Sequence, residues 1–318
     1  MQTSIYNILF TILFVLFING NIQAQELQYD VQIYSMQNKD KKITPKSIED
    51  NFNSLGLSVI GNNNMNRPFR QRFKKIHFDT YNLAMYMNKD LTFKLLQKYP
   101  QFGLLSPFTM SIWQDKNNNI NISTLTIDAI SRTTNIPKDD PDLIAYSTLI
   151  KQALKKSLPQ GNFTYIPAAE TKQNNSFQIN FTHKVDLSAD EDLEDYVDDF
   201  EEEFEAEMES LGFLFPNITN IQGEIFSKHN YHQYDFYHTY SICKFDVIFP
   251  VSKLHPEAGA WAPCSFYIYK KKNEDIIHMG FLGVDNWITS LNITDSNSIK
   301  PLQEAQSMIK KIIKDITE

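Results

Sequence analysis

The chain has 318 residues and a formal net charge of −8 at neutral pH. Its hydrophobic fraction of 42% and charged fraction of 21% are those of an ordinary folded protein, which excludes extensive disorder. At this length we expect two domains. Nucleic-acid binding depends on clustered Lys and Arg. Because the basic runs are short, as at Lys270–Lys272, no nucleic-acid partner is expected.

The N-terminal segment is almost uninterruptedly apolar from Ile5 to Ile18, and Ala24 then supplies a small residue before a cleavage point. A membrane-spanning helix takes ~20 apolar residues, so the pattern predicts a secretory signal peptide over residues 1–24. We therefore expect a periplasmic or secreted protein without stable membrane insertion after signal removal. The first residues lack Lys and Arg, which keeps an uncleaved anchor as the alternative.

Alternation and helical spacing predict the elements of the first half. In chain order they are a strand at 27–36, a helix from Thr44-Pro45 to Gly56, a short strand at 57–60, a polar loop at 61–71, a strand at 81–87, a helix capped by Asn88 or Asp90 that ends at Pro100, two strands at 109–113 and 120–127 joined by a hairpin, and a helix from Pro141 to about Leu154. The polar, turn-rich residues 159–176 predict a linker.

The second half begins with a strand at 177–185 and a strongly acidic helix, whose predicted capping box is Ser188 with Glu191. An acidic interaction tail or a calcium site is an alternative explanation of the acids. However, apolar residues from Leu193 to Leu211 recur at helical spacing, and the ligand spacing of a calcium loop is absent. The pattern favours a helix with its acids in water. A strand, a short helix and a second strand follow over Tyr237–Tyr269.

Glycines, prolines and aromatic residues match between the two halves at a constant offset. The offset is 156 early on (212 − 56 = 156) and 160 later. The pairs are Gly56/Gly212, Tyr81/Tyr237, Pro100/Pro256, Gly103/Gly259, Pro107/Pro263 and, at the larger offset, Pro141/Pro301. Since such residues mark special backbone positions, we infer a duplication. The predicted domains are 25–158 and 177–318, separated by the linker 159–176 and packed as a pseudo-twofold pair.

The stretch around Tyr240–Cys243, followed by Gly259–Tyr269 with the sequence GAWAPCSFYIY, resembles the domain of unknown function 302 family. In the first half, Gly103–Pro107 resembles the same motif, with Met87 and Phe108 at the two cysteine positions. The resemblance indicates two tandem, divergent copies. It implies an α+β fold in which each domain is a mostly antiparallel sheet packed against helices, and it implies no reaction.

Cys243 and Cys264 leave four interpretations open: buried unreactive thiols, a disulfide, a redox or thiol-transfer pair, and metal ligands. A disulfide needs Cα atoms within roughly 7 Å, which antiparallel neighbouring strands would allow and parallel ones would not. The resemblance favours the antiparallel case. His232 and His238 precede Cys243 and add imidazoles for a metal site, although polar loop histidines are the plainer explanation.

The chain lacks the common local signatures of catalysis, so an enzyme is the less favoured expectation, and no cofactor or resident metal is expected. We expect a non-enzymatic periplasmic binding or accessory module for a small molecule or an envelope protein. The alternative is a thiol-redox or metal-handling protein that works through Cys243 and Cys264, with His232 or His238. A third possibility is a structural scaffold of the cell envelope.

Overall fold

The computed structural model describes residues 28–185, 187 and 192–318. The predicted signal peptide, 1–24, and the predicted capping box of Ser188 and Glu191 lie outside the described residues. Within these ranges, none of the helices combines the length and the apolar character that a bilayer crossing requires.

Both halves contain strands and helices interspersed along the chain. The first half contains β1 (Tyr29–Gln37), α1 (Pro45–Asn53), β2 (Ser58–Asn64), α2 (Asn66–Phe73), β3 (Tyr81–Met87), α3 (Lys89–Lys98), β4 (Phe108–Gln114), β5 (Asn119–Leu125), α4 (Ile127–Thr134), α5 (Pro141–Ser157) and β6 (Asn162–Pro167). The second half contains β7 (Gln178–Lys184), α6 (Leu193–Ser210), β8 (Leu214–Asn220), β9 (Tyr234–Cys243), α7 (Phe245–Leu254), β10 (Cys264–Lys271), β11 (Ile276–Leu282), α8 (Asp285–Ser290) and α9 (Ser296–Thr317).

The strands form two sheets, one in each half. The first has the order β2-β3-β4-β5-β1-β6 and the second the order β7-β11-β10-β9-β8. The neighbouring strands in both sheets pair antiparallel. Helices pack against the sheets, as when the Phe204 ring of α6 stacks 4.7 Å from the Phe266 ring of β10. The predicted α+β class with antiparallel sheets is therefore confirmed.

Local sequence accounts for strand β3 and helix α3 of the first half. Strand β3 has the predicted bounds, and the Asn88 side chain caps α3 by accepting a hydrogen bond from the Leu91 amide. The predicted polar loop at 61–71 is wrong, because β2 continues to Asn64 and α2 follows it. The side-chain amides of this Asn-rich edge form hydrogen bonds. Asn82 donates to Asn62, and Asn62 donates to the Pro45 carbonyl.

The segment predicted as a linker, 159–176, contains a strand. Residues 162–167 form β6, which pairs antiparallel with β1 and adds an edge to the first sheet. The Phe163 ring packs 4.4 Å from the Tyr34 ring across this pair. Most β6 side chains are exposed or half-buried, so the strand carries no alternating apolar pattern that sequence reasoning could detect.

Contacts between the halves recur with the partners exchanged. The Tyr237 hydroxyl donates to the Pro100 carbonyl at 2.5 Å, and the Tyr81 hydroxyl donates to the Pro256 carbonyl at 3.3 Å. These are equivalent positions, because 81 + 156 = 237 and 100 + 156 = 256.

Two ring stacks between the halves follow the same rule. Phe73 stacks on Phe249 at 3.9 Å, and Phe93 stacks on His229 at 3.9 Å. The positions again correspond, because 73 + 156 = 229 and 93 + 156 = 249.

Candidate functional site

The two cysteines lie at the same end of two neighbouring strands. Cys243 ends β9 and Cys264 begins β10, and the antiparallel register places Cys264 opposite Ile242. Both are free, half-buried thiols. They line a cavity of about 50 Å³ whose other walls come from the strand ends and from α7, α8 and α9. The antiparallel arrangement that the resemblance implies is thus the observed one.

Aromatic rings occupy the corresponding region of the first half. There the Phe108 ring lies 5.7 Å from the Phe102 ring and 4.9 Å from the Tyr146 ring. Tyr146 is fixed by its hydroxyl, which accepts a hydrogen bond from the Asn88 amide at 2.7 Å. These rings are fully buried, so this end of the first sheet is filled.

The second half has smaller side chains at the same three positions. At the offset of 156, Ala258 is equivalent to Phe102 and Cys264 is equivalent to Phe108. At the offset of 160, Gln306 is equivalent to Tyr146. The cavity opens beside Cys264 and Gln306. Engineered apolar cavities of about 150 Å³ bind benzene. A cavity of about 50 Å³ therefore accepts only a small group, such as the end of a larger apolar molecule.

Burial keeps both thiols neutral. It raises the pKa of Cys243 to about 12, and it raises the pKa of Cys264 to about 12, with a further contribution from the neighbouring Cys243. The thiolate is the form that attacks electrophiles and ligates metals. At neutral pH the pair is therefore an apolar, weakly reactive surface of the cavity.

The structure does not bring the predicted histidines to the cysteines. His238 lies in β9 with its Nδ1 atom 2.8 Å from a carboxylate oxygen of Glu201 on α6. His232 is exposed in the loop before β9. Neither histidine lines the cavity. Among the described residues, no three His, Cys, Asp or Glu side chains are grouped to hold a metal ion.

A larger groove lies on the other side of Cys243. It has a volume of about 610 Å³ and lies between the two halves, and Cys243 and Pro263 line both this groove and the cavity. The two residues therefore form the wall between the two spaces. Most other lining residues are apolar: Met65, Pro68 and Leu83 from the first half, and Leu214, Phe215, Pro216, Ile218 and Phe245 from the second.

Polar groups in the groove are few. Asn63 and Asn64 end β2, and Glu205 and Glu209 lie on α6. Burial raises the pKa of Glu205, a hydrogen bond with Tyr240 opposes the rise, and the nearby carboxylates of α6 add to it. The groove thus combines an apolar floor with a few hydrogen-bonding groups, which is the usual make-up of a small-molecule site.

Sequence reasoning singled out Cys243 and Cys264 but missed the rest of the site. Leu214 and Ile218 are 41% and 44% exposed on the edge strand β8. The offset of 160 indicates that side-chain volume is missing near the cysteines, because Gln306 is equivalent to the larger Tyr146. No comparable indication exists for Glu205, which resembles its many acidic neighbours.

Comparison with known proteins identifies one family. Residues 34–157 match the model of "Domain of unknown function DUF302". A solved structure described as an uncharacterized conserved protein DUF302 from Bacillus stearothermophilus is 10% identical, covers 45% of this chain and 100% of its own, and has a TM-score of 0.36. No curated protein matches the chain.

Proposed function

We propose that residues 177–318 are a second, diverged copy of the DUF302 domain, whose family model matches residues 34–157. The strand order supports this: β2-β3-β4-β5-β1 in the first sheet corresponds to β8-β9-β10-β11-β7 in the second. The exchanged contacts of Tyr81 with Pro256 and of Tyr237 with Pro100 support a pseudo-dimer of the two copies, because isologous interfaces exchange partners in this way.

The protein is, on this proposal, an exported non-enzymatic binding module for a small molecule with an apolar body. The groove between the halves carries the proposal. Its volume of about 610 Å³ falls within the roughly 300–1,000 Å³ of typical ligand sites. Leu214, Phe215 and Phe245 would contact the apolar body, and Glu205 and Asn64 would meet its polar end.

The neutral state of the cysteines favours binding over thiol chemistry. A redox or metal-handling protein needs accessible thiolates, whereas burial raises the pKa of both thiols to about 12. The cysteines instead supply small side chains that leave a cavity behind the groove. A displaced Cys243 side chain would join the two spaces, because it lies in their shared wall.

Titration with N-phenyl-1-naphthylamine, an uncharged fluorescent probe for apolar sites, tests the proposal. We expect a saturable rise in fluorescence from one site and at least tenfold weaker binding in Leu214→Asp, which puts a charge in the groove. Ile144→Asp is the matched control, since Ile144 is a similarly exposed apolar residue on α5 that does not line the groove. Equal affinity in both variants, or no saturable binding, would overturn the proposal.

Export is tested separately. The full chain and a form that lacks residues 1–24 are expressed in a Gram-negative host, and the periplasmic protein is analysed by intact mass. We expect only the full chain to reach the periplasm, with a mature N-terminus at Gln25. An unprocessed chain in the membrane fraction would support the uncleaved anchor instead.

A further inference from the structure

A second cleft between the halves has a different chemistry from the groove. Its volume is about 290 Å³, and no Asp, Glu, Lys or Arg side chain lines it. From the first half it receives Gln101 and Asn135, and from the second it receives Gln178, Asn180, Phe181, Thr182, Tyr267, Tyr269, His278 and Met279. Cys243 and the groove residues do not line it.

Hydrogen bonds fix the orientation of two amides in this cleft. Gln101 donates through Nε2 to the Thr134 carbonyl at 2.8 Å, and Gln178 donates through Nε2 to the Thr133 carbonyl. Both carbonyls belong to the last turn of α4, where helix carbonyls lack partners within the helix. Since each amide nitrogen is engaged, each amide oxygen is held in position as an acceptor for another group.

In the third amide, that of Asn180, the oxygen is engaged and the nitrogen is open. The Tyr267 hydroxyl donates to Oδ1 of Asn180 at 3.1 Å, so the donors on Nδ2 of Asn180 remain for a ligand. Asn135 is exposed and follows α4 with a φ of 57°, a conformation that Asn tolerates. The cleft therefore offers oriented acceptors and oriented donors together.

Aromatic rings form the wall beside these amides. The Tyr267 and Tyr269 rings stack at 5.5 Å, and the Tyr269 and His278 rings stack at 4.9 Å. The two tyrosines are only 5% and 7% exposed, so little of their ring surface is open beside the polar groups, and the half-buried His278 ring adds to it. A molecule that matches this cleft has a small apolar C–H surface and several hydroxyl groups.

We propose that this cleft binds a neutral polyhydroxylated ligand of the saccharide class. A saccharide hydroxyl both donates and accepts, so it satisfies the fixed acceptors of Gln101 and Gln178 and the donors of Asn180 together. The C–H groups of a sugar ring contact the part of the aromatic wall that is open to the cleft. No carboxylate, ammonium or guanidinium group lines the cleft, and the imidazole of His278 is already hydrogen-bonded to Glu274 at 3.0 Å, so the lining favours neither an acidic nor a basic sugar. The ligand differs from the molecule proposed for the groove, and the two proposals stand separately.

Saccharide binding to the full chain is measured by saturation-transfer NMR and calorimetry. The probes are glucose, maltose, glucuronate, glucosamine and the uncharged dipeptide glycylglycine amide acetylated at its N-terminus. We expect saturable binding of a neutral sugar, and weaker binding of the charged sugars and of the peptide. Stronger binding of the peptide, or no saturable sugar binding, would overturn the proposal.

Variants locate the site. Asn135→Gly removes one polar side chain of the cleft and keeps a backbone that glycine adopts without strain. We expect about fivefold to tenfold weaker sugar binding, as for the loss of one hydrogen bond. Asn230→Gly is the matched control, because Asn230 is exposed with a φ of 53° and lies outside the cleft. Asn180→Leu should weaken binding further, and thermal unfolding checks that each variant is folded. Equal sugar affinity in Asn135→Gly and Asn230→Gly would overturn the assignment.

Discussion

Gly103 of the first half lies directly against Tyr237 of the second half. A Cβ atom at position 103 would lie 2.1 Å from the Tyr237 hydroxyl oxygen and 3.0 Å from its Cζ atom. The tyrosine cannot easily move away, because it is completely buried and its hydroxyl donates to the Pro100 carbonyl. This close packing explains why glycine suits the position without any unusual backbone conformation.

Gly103→Ala should therefore destabilise the protein by roughly 1–3 kcal/mol, the usual cost of overpacking a buried site. Urea unfolding followed by circular dichroism measures the change. In a Tyr237→Phe background the same substitution should cost less, because the nearest clashing atom is gone. If alanine costs the same in both backgrounds, the contact with the hydroxyl does not explain the glycine.

Much of this fold follows from local sequence. Strand β3 and helix α3 were predictable because alternation and a side-chain cap act within a few residues. Strand β6 was not, because an exposed edge strand owes its structure to β1, which lies more than a hundred residues away in the sequence. The short helices α4 and α8 were also missed, since each is stabilised by contacts with distant elements such as Thr133 with Asn286.

The candidate site was predictable only in part. The family resemblance favours an antiparallel pair of strands with Cys243 and Cys264 at the same end, and the structure has this arrangement. The sequence does not indicate the cavity, which depends on how Trp287 of α8 and other distant side chains pack around the two cysteines. The groove could not be predicted from the sequence either, because it exists only where two distant segments, at Met65 and Leu214, face each other.

The cysteines should react slowly in the native protein. Burial raises the pKa of Cys243 to about 12. Because the thiolate fraction falls about tenfold for each unit by which a pKa rises, reaction with 5,5′-dithiobis(2-nitrobenzoate) near pH 8 should be at least about a hundredfold slower than for a free thiol. The stopped-flow rate in native buffer is compared with the rate in guanidinium chloride.

An added exposed thiol provides the internal control. Ser54→Cys places a cysteine at an exposed position that follows α1. This third thiol should react at the unfolded rate while Cys243 and Cys264 remain slow. Rapid native reaction of Cys243 or Cys264 would contradict the inert state assigned to them and would favour the thiol-redox alternative.

A buried ion pair should contribute strongly to the junction between the halves. Arg132 of α4 forms a salt bridge with Asp30 of β1, whose side chain is wholly buried. Ser290 of α8 accepts from Arg132 at 2.9 Å and donates to Asp30 at 3.0 Å. Arg132→Met leaves a buried carboxylate without its cation, so we expect a loss of about 3–5 kcal/mol in the free energy of unfolding.

The double variant Asp30→Asn/Arg132→Met distinguishes the charge from the packing. It should be more stable than Arg132→Met alone, because no unpaired charge is then buried. Arg67→Met, at an exposed position on α2, is the control and should change the free energy of unfolding little. A double variant less stable than Arg132→Met would mean that the charge is not the dominant contribution.

His255 should make stability depend on pH. Its imidazole lies 3.4 Å from Glu257 and 3.4 Å from Asp295, and the hydrogen bond with Glu257 is the main cause that raises the pKa of His255 above 6.5. A raised pKa in the folded state stabilises the protein fully below 6.5, and this contribution is lost as the pH rises through the folded pKa. His255→Gln should therefore lower the free energy of unfolding more at about pH 5.5 than at about pH 8.5, by about 1.4 kcal/mol for each unit by which folding raises the pKa.

Denaturant unfolding of His255→Gln and of the unsubstituted protein at the two pH values measures the difference. His232→Gln, at an exposed loop position, serves as the control. A cost of His255→Gln that grows with pH would contradict the assigned ion pairs.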